Sequence, residues 1–227
     1  MKVRPLRTYN VPDIADHVIH FTGRAGKRIN VDPAVEALPD EERLLQILVD
    51  GRIRGFETFG SDGPVTCLTE STKASVSSLL AEGRYTPCGV GFTKQFAFDQ
   101  GGAPALYIRG DEWAAARSLP QPLRSRIVRF WPGSEADPEL PSQYIPNALS
   151  APSEWLHERE WRIPGDLPFD WDDVSFLIVP HPKWQSFYSS WIQGWAGDSY
   201  AGWFESIPAV VMSSDGGVIH DGKGIWT

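Results

Sequence analysis

Two hydrophobic patterns along this chain predict its secondary structure. Apolar residues at helical spacing predict helices over residues 41–50, 72–82, 94–99, 112–118 and 183–195. Short apolar or alternating runs predict strands over residues 18–22, 65–69, 90–93, 105–108, 126–131, 155–163, 174–179 and 207–212. Asp40 and Asp111 stand where helix caps are expected, and Gly51 is expected to end the first helix. We expect the glycine-rich tail from Ser213 to be partly loose.

The order of these elements indicates the fold class. Helices concentrate early and strands late, with some mixing, which favours an α+β fold. Neither a repeat nor a separating linker is evident, so we expect a single domain over residues 1–227. Residues 132–153 are rich in proline, serine and acidic side chains, which predicts a long loop insertion there.

Composition narrows the function classes. The chain has 227 residues, 41% of them hydrophobic, and a net charge of −8, which argues against unspecific attraction to nucleic acid. Two cysteines, Cys67 and Cys88, suit a reducing cytoplasm better than a disulfide framework. We expect no metal site, because CxxC and HExxH spacings are absent, and no membrane association, because no apolar run could span a bilayer and no signal peptide is evident.

The charged segment 155–163 is the strongest candidate for chemistry. If it is a strand, Glu158, Glu160 and Arg162 share one face, with alternate residues rooted roughly 6–7 Å apart. Surface ion pairs with Arg84, Arg159 and Arg162 explain these charges equally well. A pair of carboxylates aimed at a sugar is the other interpretation, in which one stabilises positive charge and the other positions a nucleophile.

Smaller groups of polar and aromatic residues add candidates. His20 and Thr22 share a face of the first strand, either as an ordinary strand end or as a ligand-binding edge. Thr69 and Ser71 lie at a strand-to-helix junction, where hydroxyl groups cap helices or contact ligands. Tyr85 and Tyr107 either pack in the core or stack on a nicotinamide or base.

Taken together, these segments resemble a known family. They are, in chain order, His-Phe-Thr at 20–22, the leucine-rich segment 44–51, Cys-Leu-Thr-Glu at 67–70, residues 85–94, residues 101–107 and Glu-Arg-Glu-Trp-Arg at 158–162. The series resembles the prokaryotic phage-defence family labelled abortive-infection AbiGi-type antitoxin, over about residues 16–180. The Glu-Arg-Glu-Trp-Arg block is its most specific part.

The layout is also similar to ADP-ribosyltransferase-like folds, which implies a mixed, mostly antiparallel split sheet with flanking helices. The resemblance implies that His20 and Thr22 hold the ribose hydroxyls of NAD and that Thr69 and Ser71 brace the site. It further implies that Glu160 is the catalytic carboxylate and Glu158 its upstream partner. Arginine-type transferases carry an arginine on the first strand, where this chain has His20.

The resemblance therefore implies a cytoplasmic, NAD-consuming transferase in phage defence or a toxin–antitoxin system. Its acceptor would be a protein or nucleic acid, and a cognate toxin or antitoxin partner is possible. Two alternatives stay open. One is a non-catalytic antitoxin that binds a partner through the aromatic segment 184–204. The other is an NAD glycohydrolase, whose product is free ADP-ribose.

Overall fold

The short apolar runs of the sequence form strands in the computed structural model, which describes residues 14–24, 33–58, 61, 63–109, 112–130 and 158–221. The strands are β1 (His17–Phe21), β2 (Arg52–Ile53), β3 (Phe56–Glu57), β4 (Pro64–Thr69), β5 (Gly89–Thr93), β6 (Ala103–Pro104), β7 (Leu106–Arg109), β8 (Ile127–Phe130), β9 (Glu160–Pro164), β10 (Leu167–Pro168), β11 (Val174–Val179), β12 (Ala209–Met212) and β13 (Val218–Asp221). The helices are α1 (Pro33–Glu36), α2 (Asp40–Asp50), α3 (Lys73–Ala81), α4 (Lys94–Asp99), α5 (Trp113–Ala116), α6 (Trp184–Ala196) and α7 (Asp198–Ser206).

Nine of the described strands form one sheet. Its order is β13-β12-β11-β5-β1-β4-β9-β6, with β3 paired to β4. Within this sheet β11 and β12 run parallel, and the other pairs are antiparallel. Two further pairs are separate: β2 with β10, antiparallel, and β7 with β8, parallel. The α+β class with a mostly antiparallel sheet is therefore confirmed.

Helices cover both faces of the sheet. Residues alternate between the two faces along each strand, so the strands present apolar side chains on both sides for helices to cover. On one face, α3 buries Val76 and Leu80 against Ile19 and Phe176. The other face carries the larger core. Its buried residues include Leu44 and Leu48 of α2, Ala97 of α4, Trp184 and Ile192 of α6, and Phe204 of α7. The flanking helices predicted from the sequence are thus present on both faces.

Most predicted elements are confirmed to within a residue or two, and the differences have local causes. Pro39, not Asp40, occupies the N-cap of α2, so Asp40 becomes the first helical residue. Gly51 ends α2 as predicted, in the left-handed conformation with φ 57°. The tail expected to be loose from Ser213 forms β13, which pairs with β12. The sequence pattern also missed α7, because Gly197 and Gly202 obscure its helical spacing.

Some predictions fall outside the described residues. The loop insertion at 132–153 and the cap at Asp111 lie there, so the single domain over 1–227 stays a prediction. Within the described ranges, every helix is too short or too polar to cross a bilayer.

Candidate active site

The predicted charged strand is shorter than expected and begins at the second glutamate. Strand β9 starts at Glu160, whereas residues 155–157 lie outside the described residues. Glu158 precedes the strand, and Arg159 between them has a positive φ of 46°. The prediction that one strand carries Glu158, Glu160 and Arg162 on a single face is therefore wrong for Glu158. A turn, not strand alternation, sets the direction of its side chain.

Glu160 and Arg162 share one face of β9 and form a buried ion pair. Arg162 Nε donates to Glu160 Oε1 at 2.9 Å, and Nη2 donates to Oε2 at 3.3 Å. Arg162 Nη1 donates to the Ile127 carbonyl at 2.8 Å. Arg162 is 2% exposed and Glu160 9%. Burial lowers the pKa of Arg162, but the Glu160 carboxylate opposes this and leaves that pKa raised.

Glu158 has a second set of partners, contributed by the segment that follows α3. Arg84 Nε donates to Glu158 Oε1 at 2.6 Å, and the Tyr85 hydroxyl donates to Oε2 at 2.9 Å. The Tyr85 ring stacks on Phe21 of β1, with centroids 4.6 Å apart. Arg84 and Arg162 are thus confirmed as ion-pair partners of the two glutamates. The predicted surface location is wrong, because Glu158 is only 6% exposed.

The two carboxylates lie near a sparsely paired boundary within the sheet, between β1 and β4, which we call the split. These strands share one paired position, Ile19 with Thr69, whereas β1 pairs with β5 along its whole length. Thr69 in turn lies opposite Glu160. Next to the paired row of Ile19, Thr69 and Glu160, a side chain and not the backbone of β1 contacts the backbone of β4. This side chain is His20, whose Nδ1 lies 3.0 Å from the Cys67 carbonyl oxygen. Since that oxygen only accepts, we assign the proton to Nδ1.

This row decides which predicted residues come together. Ile19, Thr69 and Glu160 share one face of the sheet, so alternation assigns His20 to the opposite face. His20 therefore reaches the split through the plane of the sheet and not across an open space from Glu160. Cys67 lies between His20 and Glu160, because its carbonyl oxygen contacts His20 while its side chain shares the sheet face of Glu160.

Two further side chains complete the group. Burial, followed by the charges of Glu160 and Glu158, raises the pKa of the Tyr107 hydroxyl. That hydroxyl is buried and has no hydrogen-bond partner within the described part of the chain. Burial and the Glu160 carboxylate also raise the pKa of the Cys67 thiol well above its usual range. We call the following residues the carboxylate cluster: Cys67, Arg84, Tyr85, Tyr107, Glu158, Glu160 and Arg162.

The remaining predicted site residues have different surroundings. The Thr22 hydroxyl lies 2.9 Å from the Asp40 carbonyl oxygen and 3.2 Å from that of Cys88, so it ties β1 to α2. Ser71 is 1% exposed, and its hydroxyl has no partner among the described residues. Thr69 is buried in the row beside Glu160. Thr22 is therefore committed to the fold and lies outside the carboxylate cluster.

Sequence reasoning missed Cys67 as part of this site and assigned Arg84 and Arg162 only as surface ion-pair partners. The signal for Cys67 is its position two residues before Thr69 on a strand, which places both on one face. Neither strand alternation nor spacing shows that Cys67 faces Arg162 across a strand pair, since that depends on the register of β4 and β9. No three His, Cys, Asp or Glu side chains within the described ranges are arranged to hold a metal ion.

A second region, on α6 and α7, is notable for its exposed aromatic side chains. Phe187, Trp191 and Trp195 recur every four residues along α6 and are 69%, 36% and 63% exposed, and Tyr200 of α7 is 45% exposed. We call these four residues the aromatic surface. The aromatic face predicted for residues 183–195 is therefore divided, because Trp184 is fully buried while its neighbours along the helix face solvent.

Comparison with protein-family models, curated proteins and solved structures found no match to this chain. The resemblance to the AbiGi-type family and to ADP-ribosyltransferases therefore stays a prediction.

Proposed function

We propose that this protein is a cytoplasmic, NAD-dependent ADP-ribosyltransferase-like enzyme that modifies a macromolecular acceptor. The carboxylate cluster carries this proposal. It gathers two buried glutamates and two tyrosines beside the split between β1 and β4. Buried carboxylates near tyrosine rings suit a substrate that is both a sugar and an aromatic base. The setting in phage defence or a toxin–antitoxin system rests on the family resemblance alone.

The proposed reaction breaks the bond between nicotinamide and C1′ of the ribose. Nicotinamide leaves with the bonding electron pair, and C1′ becomes oxocarbenium-like. Glu160 stabilises this positive charge, and Glu158 positions the nucleophile of the acceptor. The nucleophile then bonds to C1′ and loses its proton to a carboxylate or to water.

The hydrogen bonds of the cluster limit what Glu160 offers to a ligand. A carboxylate has about four lone-pair positions, of which Arg162 takes two. The positions that Arg162 does not take are available to a ribose hydroxyl. The Tyr107 hydroxyl, which has no hydrogen-bond partner among the described residues, supplies a further donor. Two glutamates and two arginines also make the described cluster formally neutral, so binding must depend on directed hydrogen bonds more than on net charge.

The primary test is incubation of the purified protein with NAD and cell lysate. Transfer of labelled ADP-ribose to macromolecules supports the transferase. Release of nicotinamide with free ADP-ribose as the product supports the glycohydrolase alternative instead. If neither nicotinamide release nor transfer is detected, the enzymatic proposal is wrong.

Tyr107→Phe gives a cleaner variant than Glu160→Gln. Glu160→Gln is nearly isosteric, but it leaves the Arg162 charge buried without its counter-charge, so it should also destabilise the fold. Tyr107→Phe removes a hydroxyl that has no described partner, so the free energy of unfolding should hardly change. We expect kcat/KM to fall about 2- to 12-fold, since one hydrogen bond contributes ~0.5–1.5 kcal/mol.

Tyr200→Phe is the matched control, because Tyr200 is exposed on α7 and lies outside the carboxylate cluster. It should leave NAD turnover unchanged. Equal turnover in Tyr107→Phe and in wild-type protein would show that the hydroxyl contributes nothing to the reaction.

A second candidate function is supported by the aromatic surface. Exposed clusters of tryptophan and phenylalanine mark partner-binding surfaces more often than free surface. On this alternative the protein is a non-catalytic antitoxin or binding protein. A partner that co-purifies, and that still binds when Glu158→Gln and Glu160→Gln are combined, would favour this alternative over the enzyme.

A further inference from the structure

Arg159, between the two glutamates of the proposed site, has an unusual backbone conformation. Among the described residues it is the only one other than glycine with a positive φ, at 46°. Residues with a side chain disfavour this region, because the Cβ atom crowds the following carbonyl oxygen. Such conformations persist where surrounding contacts impose them, and they cluster at functional sites.

The conformation of Arg159 changes where Glu158 is directed. In an unbroken strand, Glu158 and Glu160 would share a face of β9 and the same neighbours. Instead, Glu160 pairs with Arg162 of its own strand, whereas Glu158 bonds to Arg84 and Tyr85 after α3. The turn at Arg159 thus distributes two carboxylates of one tripeptide to two different sets of partners.

A hydrogen-bonded brace holds this turn. The Arg159 carbonyl oxygen accepts from the Glu70 amide at 3.2 Å. The Glu70 carboxylate accepts from Lys94 Nζ at 3.1 Å and from Trp161 Nε1 at 2.7 Å. Trp161 is the residue after Glu160 and is 5% exposed. Glu70 therefore connects the turn to the end of β4, to α4 and to β9 itself.

We propose that Arg159 is a positioning residue whose left-handed backbone, held by Glu70, places Glu158 against Arg84 and Tyr85. The consequence for turnover rests on the proposed function, in which Glu158 positions the nucleophile. The placement of Glu158 itself is independent of NAD. The Arg159 side chain is exposed, so its backbone conformation is the feature under test.

Two substitutions isolate the backbone. Arg159→Gly and Arg159→Val both remove the guanidinium, but glycine adopts a positive φ readily whereas valine strongly disfavours it. The probe is the NMR signal of each arginine Nε–H group in protein without NAD. Arg84 Nε–H bonds to Glu158, and Arg162 Nε–H bonds to Glu160, so Arg162 serves as an internal control in the same sample.

We expect solvent exchange of the Arg84 Nε–H to be at least about 5- to 30-fold faster in Arg159→Val than in Arg159→Gly. The Arg162 signal should be the same in both variants. Equal Arg84 exchange in the two variants would overturn the proposal. If Arg159→Val loses the Arg162 signal as well, it has unfolded. Lys94→Met then takes its place, because it weakens the brace without touching the turn, and unchanged Arg84 exchange there would equally overturn the proposal.

NAD turnover by the same two Arg159 variants is the second measurement. If the wild-type protein consumes NAD, Arg159→Val should lower kcat and change KM less. Arg159→Gly should retain activity. If the wild-type protein consumes no NAD, the proposed function is wrong, while the Arg84 signal still decides whether Arg159 positions Glu158.

Discussion

The carboxylate cluster and the aromatic surface both depart from the usual rule that charged side chains are exposed and aromatic side chains buried. The cluster buries charges, and the surface exposes aromatic rings. In the first, four charged residues lie buried or nearly so, with Glu158 at 6% and Arg162 at 2% exposure. In the second, Phe187 and Trp195 are more than 60% exposed on one side of α6. Buried charges survive because the fold supplies each with a partner, whereas the exposed aromatic rings contact neighbouring rings and still leave much of their area to solvent.

This difference matches the two functions proposed for these regions. The residues of the carboxylate cluster come from four separate parts of the chain, namely β4, the segment after α3, β7, and the segment from Glu158 into β9. Hydrogen bonds and ion pairs of the fold itself hold these side chains, as directed chemistry would require. The aromatic surface comes from a single helix and its neighbour, so it offers area rather than precise geometry. It therefore suits recognition of a partner.

The largest effect should come from breaking the buried pair. Arg162→Met removes the guanidinium and leaves Glu160 buried without a counter-charge. We expect the free energy of unfolding to fall by about 3–5 kcal/mol, measured by urea denaturation. A loss below ~1 kcal/mol would mean that the pair behaves like an ordinary surface ion pair and that the contrast with the aromatic surface is unfounded.

The matched control is the double variant Arg162→Met/Glu160→Leu. Replacing both members of a buried pair by apolar residues of similar size is often neutral. We expect it to recover most of the stability lost in Arg162→Met. A double variant as unstable as the single one would mean that Arg162 contributes mainly through the Ile127 carbonyl.

A smaller effect should appear at alkaline pH. Because the folded protein raises the pKa of the Cys67 thiol, the unfolded chain releases that proton first as pH rises. The stability that Cys67 contributes is present below its unfolded pKa, near 9, and is lost as pH rises through the folded value. Cys67→Ala should therefore flatten the fall in unfolding free energy above about pH 9.

Cys88 is the control for this measurement. Burial raises the pKa of its thiol to about 12, but Glu158 and Glu160 do not contribute. The rate of alkylation by iodoacetamide, measured separately at each cysteine, tests the same charge effect. Glu160→Gln should speed alkylation of Cys67 and leave the rate at Cys88 unaffected. Identical acceleration at both cysteines would indicate general loosening and not a local charge effect.

The smallest effect on stability should come from the aromatic surface. Phe187→Ser and Trp195→Ser together remove exposed rings, so unfolding free energy should change by no more than about 0.5 kcal/mol for each substitution. If the protein is the binding protein of the alternative proposal, co-purification of its macromolecular partner should be lost. Trp184→Ser is the contrasting variant, because Trp184 is fully buried and its replacement should destabilise the core by several kcal/mol.

The secondary structure was largely predictable from local pattern, and the site only in part. The stripe of α2 and the strand Val174–Val179 follow directly from hydrophobic spacing. Strand β13 did not, since Gly216 and Gly217 precede it and its stability comes from pairing with β12. The two glutamates were recognised as site candidates, but their partners were assigned to the surface.

The sequence by itself determined the α+β class, the helical stripes and the chemical character of the segment around Glu160, because these depend on residue type and periodicity. Only the tertiary structure decided that Glu158 leaves the strand at Arg159, that Thr22 is tied to α2, and that His20 fills the gap beside Cys67. The physical reason is that strand register and a single positive φ determine which face a side chain occupies. Neither is specified by the residues nearby in the sequence.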